Sequence, residues 1–319
     1  MSKQKIVAIG ADIGGTSVKI GLVNSRGKIL TRETFLTESA LGREPMLDIL
    51  AGHIFEFLKG ARKSGFRVAG VGIGAPGPID VERGFVYFFP NIPGWKNTPL
   101  KAWLQKRVKL PVYVDNDANV MALAEFLYGN GRGTRDMIAL TLGTGVGGGL
   151  VINGKLFHGP RYSAAEIGHL VINENGPRCS CGSHGCIETY VGSGFFVKEV
   201  QKRLRLGGKS VLKRWLREGK ELSPYLVSEA AKKGDAFSRE IWHETAAHLG
   251  TALAGLVNIL NPEKIVLGGG VAQNKKFFFR AVEAAIRKKA FPIAAQSVKV
   301  MPAALGVDAG LIGAAALAF

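Results

Sequence analysis

Three thiols share one short stretch, Cys179-Ser180-Cys181-Gly182-Ser183-His184-Gly185-Cys186, and they are the only cysteines among 319 residues. Three cysteines cannot pair off internally, and a disulfide scaffold is smaller and richer in Cys. A tight, glycine-rich loop of thiolates suits a soft, four-coordinate cation such as zinc. That cation needs one more ligand. His169, ten residues before Cys179, and His184, inside the loop, are the two candidates. A catalytic thiol or a reduced cluster without metal are the alternatives, although nothing singles out one cysteine as activated.

The second chemical stretch is PVYVDNDANV, which places Asp115, Asn116 and Asp117 at the carboxyl end of an apolar strand, ahead of a helix. In open α/β sheets ligands bind at that end. Asp and Asn there can simply cap the helix. They can also supply a base and a hydroxyl clamp, since in phosphoryl transfer to an alcohol one carboxylate accepts the alcohol proton.

Three glycine turns each follow a buried strand: DIGGTSVK (12–19), LGTGVGGG (142–149) and LGGGV (267–271). Glycine lets backbone N–H groups approach an anion without a Cβ in the way. One such turn is an ordinary hairpin. Three of them, with Asp12 ending the first strand, suggest a nucleotide held between two domains. Asp12 suits Mg²⁺, which takes one or two carboxylates and keeps several waters. No Gly-Lys-Ser/Thr of a Walker loop is present, and the GTGVGG run leads into a strand, so the helix-dipole logic of a dinucleotide fingerprint is missing.

These residues need strands and helices to hold them. Apolar strands are expected at 6–12, 66–76, 111–117 and 263–270, with helices at 43–63, 98–107, 118–129 and 235–260. Asn261-Pro262 stops the last of these. A final apolar helix covers 307–319. The segment 137–157 repeats the opening plan of strand, glycine hairpin and strand. At an offset of 129, Gly14 meets Gly143 and Asn24 meets Asn153, which suggests an internal duplication opening each of two domains. Strands alternating with helices imply an α/β fold with largely parallel pairing.

With 46% hydrophobic residues the chain can bury a sizeable core, and its length suits two domains. No apolar run approaches the roughly eighteen residues of a membrane span. The N-terminal apolar stretch is interrupted by Asp12, and the expected location is the cytoplasm. The net charge of +17 is partly concentrated in 202–220, where eight basic residues accompany only Glu218. A solvated helical face accounts for it, a polyanion surface being the alternative. No nucleic-acid motif supports a nucleic-acid partner.

In this order, DIGGT, GAPGPID, FPNIPGW, DNDAN, LGTGVGGG, EIGH and CSCGSHGCIE resemble the ROK family of sugar kinases and repressors across essentially the whole chain. The zinc segment is specific and the glycine turns are generic. The resemblance implies a two-domain α/β protein of ribonuclease H-like, actin-like ATPase fold, with an inter-domain cleft. The small domain would span 1–116, completed by helix 307–319, and the large one 117–306 with the zinc loop. Asp117 matches the family's catalytic base. Asn116, Glu166, His169 and Glu188 match sugar-binding residues, with Asn91 a further contact. Asp12, Gly14, Gly15, Thr16, Thr144 and Gly145 match the phosphate and Mg²⁺ region. The family's spacing selects His169, with Cys179, Cys181 and Cys186, as the zinc set. The implied activity is ATP-dependent phosphorylation of a hexose 6-hydroxyl, glucose first, in a homodimer or homotetramer. N-acetylmannosamine, N-acetylglucosamine, fructose, allose and mannose are alternative acceptors, and polyphosphate is an alternative donor. A sugar-sensing repressor is the binding-protein alternative. Such relatives carry an N-terminal helix-turn-helix, for which a strand starting near Ile6 leaves no room.

Overall fold

The computed structural model describes residues 5–37, 42–89, 94–273 and 275–319. The first sheet opens with β1 (Ile6–Ile13), β2 (Ser17–Asn24) and β3 (Ile29–Leu36), an antiparallel meander. Helix α1 (Arg43–Lys63) then returns the chain to β4 (Arg67–Ala75), parallel to β1. A small antiparallel sheet of β5 (Ile79–Asp80), β6 (Phe85–Phe88) and β7 (Lys96–Thr98) follows, then α2 (Leu100–Val108) and β8 (Val112–Asn116), which runs parallel to β4. The sheet order is β3-β2-β1-β4-β8. Both faces of β1 are buried, as expected of a strand with near-continuous Val, Ile and Ala.

Helix α3 (Asp117–Tyr128) leads into the second sheet, built from β9 (Met137–Leu142), β10 (Val146–Ile152) and the short β11 (Lys155–Leu156). Helices α4 (Glu188–Val191), α5 (Ser193–Arg205), α6 (Leu212–Arg217), α7 (Pro224–Lys232) and α8 (Ala236–Leu260) precede β12 (Lys264–Gly268). After α9 (Lys275–Lys289) and α10 (Pro292–Ser297) comes β13 (Lys299–Pro302). The order β11-β10-β9-β12-β13 repeats the first sheet's plan, with the same antiparallel and parallel pairings. At the offset of 129, the ends of β1 and β9 coincide, and so do the starts of β2 and β10.

Helix α8 has a full set of local signals. The Asp235 side chain accepts from the Ser238 N–H at its start, and Asn261 adopts a left-handed φ of 43° at its end. The basic segment 202–220 is not one helical face: Gly207-Gly208 divide it between α5 and α6. The last helix, α11 (Ala309–Ala316), is shorter than 307–319 because a turn of 3₁₀ helix at Gly306–Asp308 precedes it. It lies on β1 and β4 of the first sheet and against α3, which itself packs on β9 and β10. This close approach depends on missing side chains: a Cβ on Gly72 would overlap the Ala314 carbonyl, and one on Gly313 the Val120 carbonyl. Among the described residues, no helix is long and apolar enough to cross a membrane.

Candidate functional site

Asn116 ends β8 and caps α3, its Oδ1 accepting from the N–H groups of Ala118 (2.9 Å) and Asn119 (3.4 Å). Its Nδ2 donates to the Gly77 carbonyl (3.1 Å), which ties the cap to the turn after β4. One amide hydrogen remains for a ligand. With Asn116 doing the capping, Asp117 is released from that duty. Its Oδ1 accepts from the Ala118 N–H at 2.8 Å, and its side chain opens into a cleft. Asp117 keeps a face open to solvent in the cleft, yet the protein packed around it, the Asp12 carboxylate and that of Glu166 push it up to about 6, against the pull of the Ala118 N–H. Asp115 is different. It is buried, and both its oxygens are engaged by Asn116, Asn119 and His158. Of the two acids in DND, Asp117 lines the cleft and Asp115 does not.

Asp12 sits near the end of β1, paired in register with Lys19. Burial raises it and Lys19 opposes the shift. Two carboxylates that both resist ionisation, one felt by the other, form a place where a cation is welcome. Asp12 therefore fits Mg²⁺. Its carboxylate rests on Gly310 of α11, where a Cβ would intrude on both its oxygens. If Asp12 holds the Mg²⁺ of a kinase, as the resemblance implies, Gly310→Ala should lower kcat about tenfold or more by displacing this carboxylate, with melting temperature nearly unchanged. Parallel kinetics and thermal melts check this. The adjoining turn is braced by Thr37, whose hydroxyl donates to the Gly14 carbonyl (2.7 Å) and whose N–H donates to that of Thr16 (3.0 Å). The Gly14 N–H is spent on Ser17, while Gly15 and Thr16 are exposed. This turn stands outside the cleft lining, whereas Thr144 and Gly145 are part of it.

The cleft encloses about 730 Å³ and collects Asn116, Asp117, Glu166, His169 and Glu188. Glu166 and His169 arrive on the loop after β11, in which Tyr162 (φ 56°) and Ala165 (φ 66°) take left-handed conformations. Glu188 starts α4. Its Oε2 accepts from the Val146 N–H (3.0 Å) and its Oε1 from the Ser180 hydroxyl (3.4 Å), so it bridges the glycine hairpin and the cysteine loop. Asn91 lies outside the described residues.

His169, Cys179, Cys181 and Cys186 place one ligand atom each within 4.8 Å of one another. His184 is not in this group. The Cys181 and Cys186 sulfurs are 3.7 Å apart, and His169 Nδ1 is 3.6 Å from the Cys179 sulfur. A zinc tetrahedron with Zn–S near 2.3 Å and Zn–N near 2.05 Å has S···S edges of about 3.8 Å and S···N edges of about 3.6 Å. The donor set therefore fits zinc in both chemistry and size. Burial and the neighbouring thiols push Cys186 up to about 12, which a bound cation would reverse by taking the proton's place.

Sequence reasoning missed several cleft residues. Pro76 and Pro78 flank the GAPGP turn, and Phe88 comes from the small sheet. Tyr162 is there because its loop folds back. The aromatic run GFVYFF is the available signal, being richer in aromatics than its two core positions need: Val86 and Phe89 are buried, while Tyr87 and Phe88 are 43% and 48% exposed. His158 had no signal, because a lone histidine after a strand has no spacing to read.

The sequence profile of the ROK family matches residues 8–319. A glucokinase from Halalkalibacterium halodurans is 39% identical over 306 residues, or 96% of this chain and 92% of that protein. A solved ROK family glucokinase from Streptomyces griseus, in complex with glucose and AMPPNP, has a TM-score of 0.80 at 35% identity and covers 98% of each chain. A ROK family transcriptional regulator, a homolog of the E. coli MLC protein, has a TM-score of 0.88 at 28% identity, covering 98% of this chain and 78% of that one.

Proposed function

We infer the activity from one premise: the chain belongs to the ROK family. It is a sugar kinase that transfers the γ-phosphoryl group of ATP to a hexose, with glucose as the acceptor and the 6-hydroxyl as the nucleophile. The observation that carries the mechanism is Asp117, a carboxylate raised to about 6 in a cleft that also collects Asn116, Glu166, His169 and Glu188. A base poised just below neutral pH is ionised when it must accept a proton, yet still basic enough to take one.

The sugar would lie against Glu166, Glu188, the second imidazole nitrogen of His169 and the remaining Asn116 amide hydrogen. Asn91 is a further proposed contact. Asp117 takes the 6-hydroxyl proton as that oxygen forms its bond to the γ-phosphorus. The bond from the γ-phosphorus to the β,γ-bridging oxygen breaks, and ADP carries away the electron pair. The chain's main contribution is to hold the two reactants in line. The Thr144-Gly145 turn, together with Gly15 and Thr16, would face the phosphates. Gly14 serves the second of these turns through its hydrogen bonds. Mg²⁺, held by Asp12, would neutralise charge developing on the phosphate oxygens.

His169, Cys179, Cys181 and Cys186 would hold zinc through four protein ligands, so that it would brace the loop and supply no Lewis acid. We place the domain division at 116/117, with 307–319 returning to the first domain. The packing of α11 on β1 and β4 supports this. A cytoplasmic location agrees with reduced thiols and ATP as substrate, and a homodimer or homotetramer remains the expected assembly.

A coupled ADP assay with glucose, mannose, fructose, allose, N-acetylglucosamine and N-acetylmannosamine, each with ATP or polyphosphate, tests the reading. Glucose with ATP should give the highest kcat/KM, and no turnover with any pair would overturn it. The likeness to a transcriptional regulator makes a gel shift a useful parallel measurement, for which no retardation is expected. Activity should also fall on the acid side. Below about pH 6 Asp117 protonates, and kcat/KM should drop about tenfold for each further unit. A flat profile between about pH 4.5 and 7 would exclude Asp117 as the base.

A further inference from the structure

Among the described residues, one side-chain hydrogen bond joins the DND junction to the loop that carries Glu166 and His169. His158 Nε2 lies 2.7 Å from Asp115 Oδ2. The other oxygen of Asp115 accepts from the Asn116 N–H (2.7 Å) and from Asn119 Nδ2 (2.9 Å). Asp115 is only 2% exposed. A buried carboxylate with every partner in place is strongly held, because losing one leaves charge uncompensated. Asp115 therefore fixes both the strand end that aims Asp117 and the histidine that begins the next loop.

His158 follows β11, at the start of the loop that ends in Glu166 and His169. The loop closes on itself through the Ala164 N–H to the His158 carbonyl (3.0 Å) and the Tyr162 N–H to that of Gly159 (3.2 Å). Gly159, Tyr162 and Ala165 all have positive φ, at 69°, 56° and 66°. The two that are not glycine, Tyr162 and Ala165, are strained in that region. Such strain persists where the surrounding structure holds the loop: Ile167 is in the core near its far end, and its near end is held at His158. Among the described residues, the bond from His158 to Asp115 is the side-chain hydrogen bond that joins this loop to the β8–α3 junction.

We propose that His158 is a positioning residue for the phosphoryl transfer: bound to Asp115, it sets the separation between the base Asp117 and the hydroxyl clamp formed by Glu166 and His169. This rests on the kinase reading given above. His158 touches neither substrate. It acts by making two chain segments a single rigid wall. The Asp115 carboxylate raises the histidine above its ordinary value, against burial, but Nε2–H donates in either charge state when the tautomer is right.

The test compares His158→Ala with His158→Gln, whose amide can reach the position of Nε2. His158→Ala should lower kcat/KM for the sugar about 100-fold, mainly through KM, the scale expected for a misplacement near 1 Å. KM for ATP should stay within about twofold of wild type and zinc content should be unchanged. His158→Gln should restore most of the loss. A sugar kcat/KM within about twofold of wild type in His158→Ala would overturn the proposal, and so would a glutamine variant no better than alanine. Hydrogen exchange over 158–169 separates this from the fate of the kinase reading. If the wild-type chain turned over no sugar, that reading alone would fail. Exchange in the loop should still quicken in His158→Ala and recover in His158→Gln, and unchanged exchange would remove the strut.

Discussion

Asp117→Asn should lose about 10²–10⁴ in kcat, the span that general-base catalysis contributes, while sugar affinity stays nearly unchanged. The substitution keeps shape and removes only basicity. Helix α3 should survive it, because the cap is Asn116 and not Asp117. A second readout follows from the same carboxylate. Its ordinary value is 3.8, and burial with the Asp12 carboxylate lifts it to about 6. Folding therefore disfavours its ionised form. Stability from this site is fully present below the ordinary value and is lost as pH rises through about 6. Asparagine suffers no such loss, so the variant should melt above wild type at about pH 8, with the gap closing towards about pH 4. Turnover in the variant above a tenth of wild type would disqualify Asp117, whatever the melts show.

This coupling explains why the site was only partly legible in the sequence. DND announced a strand end and a helix start, and the strand and α3 lie there. Which aspartate faces the cleft depends on His158 and Asn119, whose contacts with Asp115 no local pattern encodes. The duplication at offset 129 was readable because glycine hairpins keep their register between buried strands, and the two five-stranded sheets share one order. Helix α8 was readable because Asp235 and Asn261 mark its ends. The β5–β7 sheet has strands of two to four residues, too short to show a period. Helices α4–α7 lie between the cysteine loop and α8, where Gly192, Gly207-Gly208 and Gly219 break any long pattern. The left-handed Ala165 was invisible because alanine carries no preference for that region, and only the surrounding loop imposes it.

Removing zinc should damage sugar binding far more than nucleotide binding. The cysteine loop is held by short backbone bonds, the Cys179 N–H to Ser183 (2.8 Å) and the Gly185 N–H to Pro177 (2.8 Å), with Gly182 and Gly185 at positive φ. Those bonds shape the loop, and the Ile172 N–H to Gly185 (2.9 Å) and the Ile187 N–H to Leu170 (2.8 Å) tie its end to the segment after His169. Four zinc ligands would add a second tie nearer the cleft, since His169 belongs to the Glu166 loop and Cys186 stands two residues before Glu188. Ser180, between two of the cysteines, touches Glu188 directly. Zinc in that set would thus help to orient both Glu166 and Glu188, whereas Asp12 and its turn belong to β1 and β2, far from it in the chain. Metal analysis should find about one zinc per chain. Chelation, or Cys186→Ser, should raise KM for the sugar about 10–100-fold, as loss of metal-site order commonly does, with KM for ATP within about twofold. Circular dichroism has to show the stripped protein still folded, because helix α3 and both sheets do not depend on the metal. A folded, zinc-free protein that binds glucose as tightly as the holoprotein would mean that Glu166 and Glu188 are aimed by packing alone.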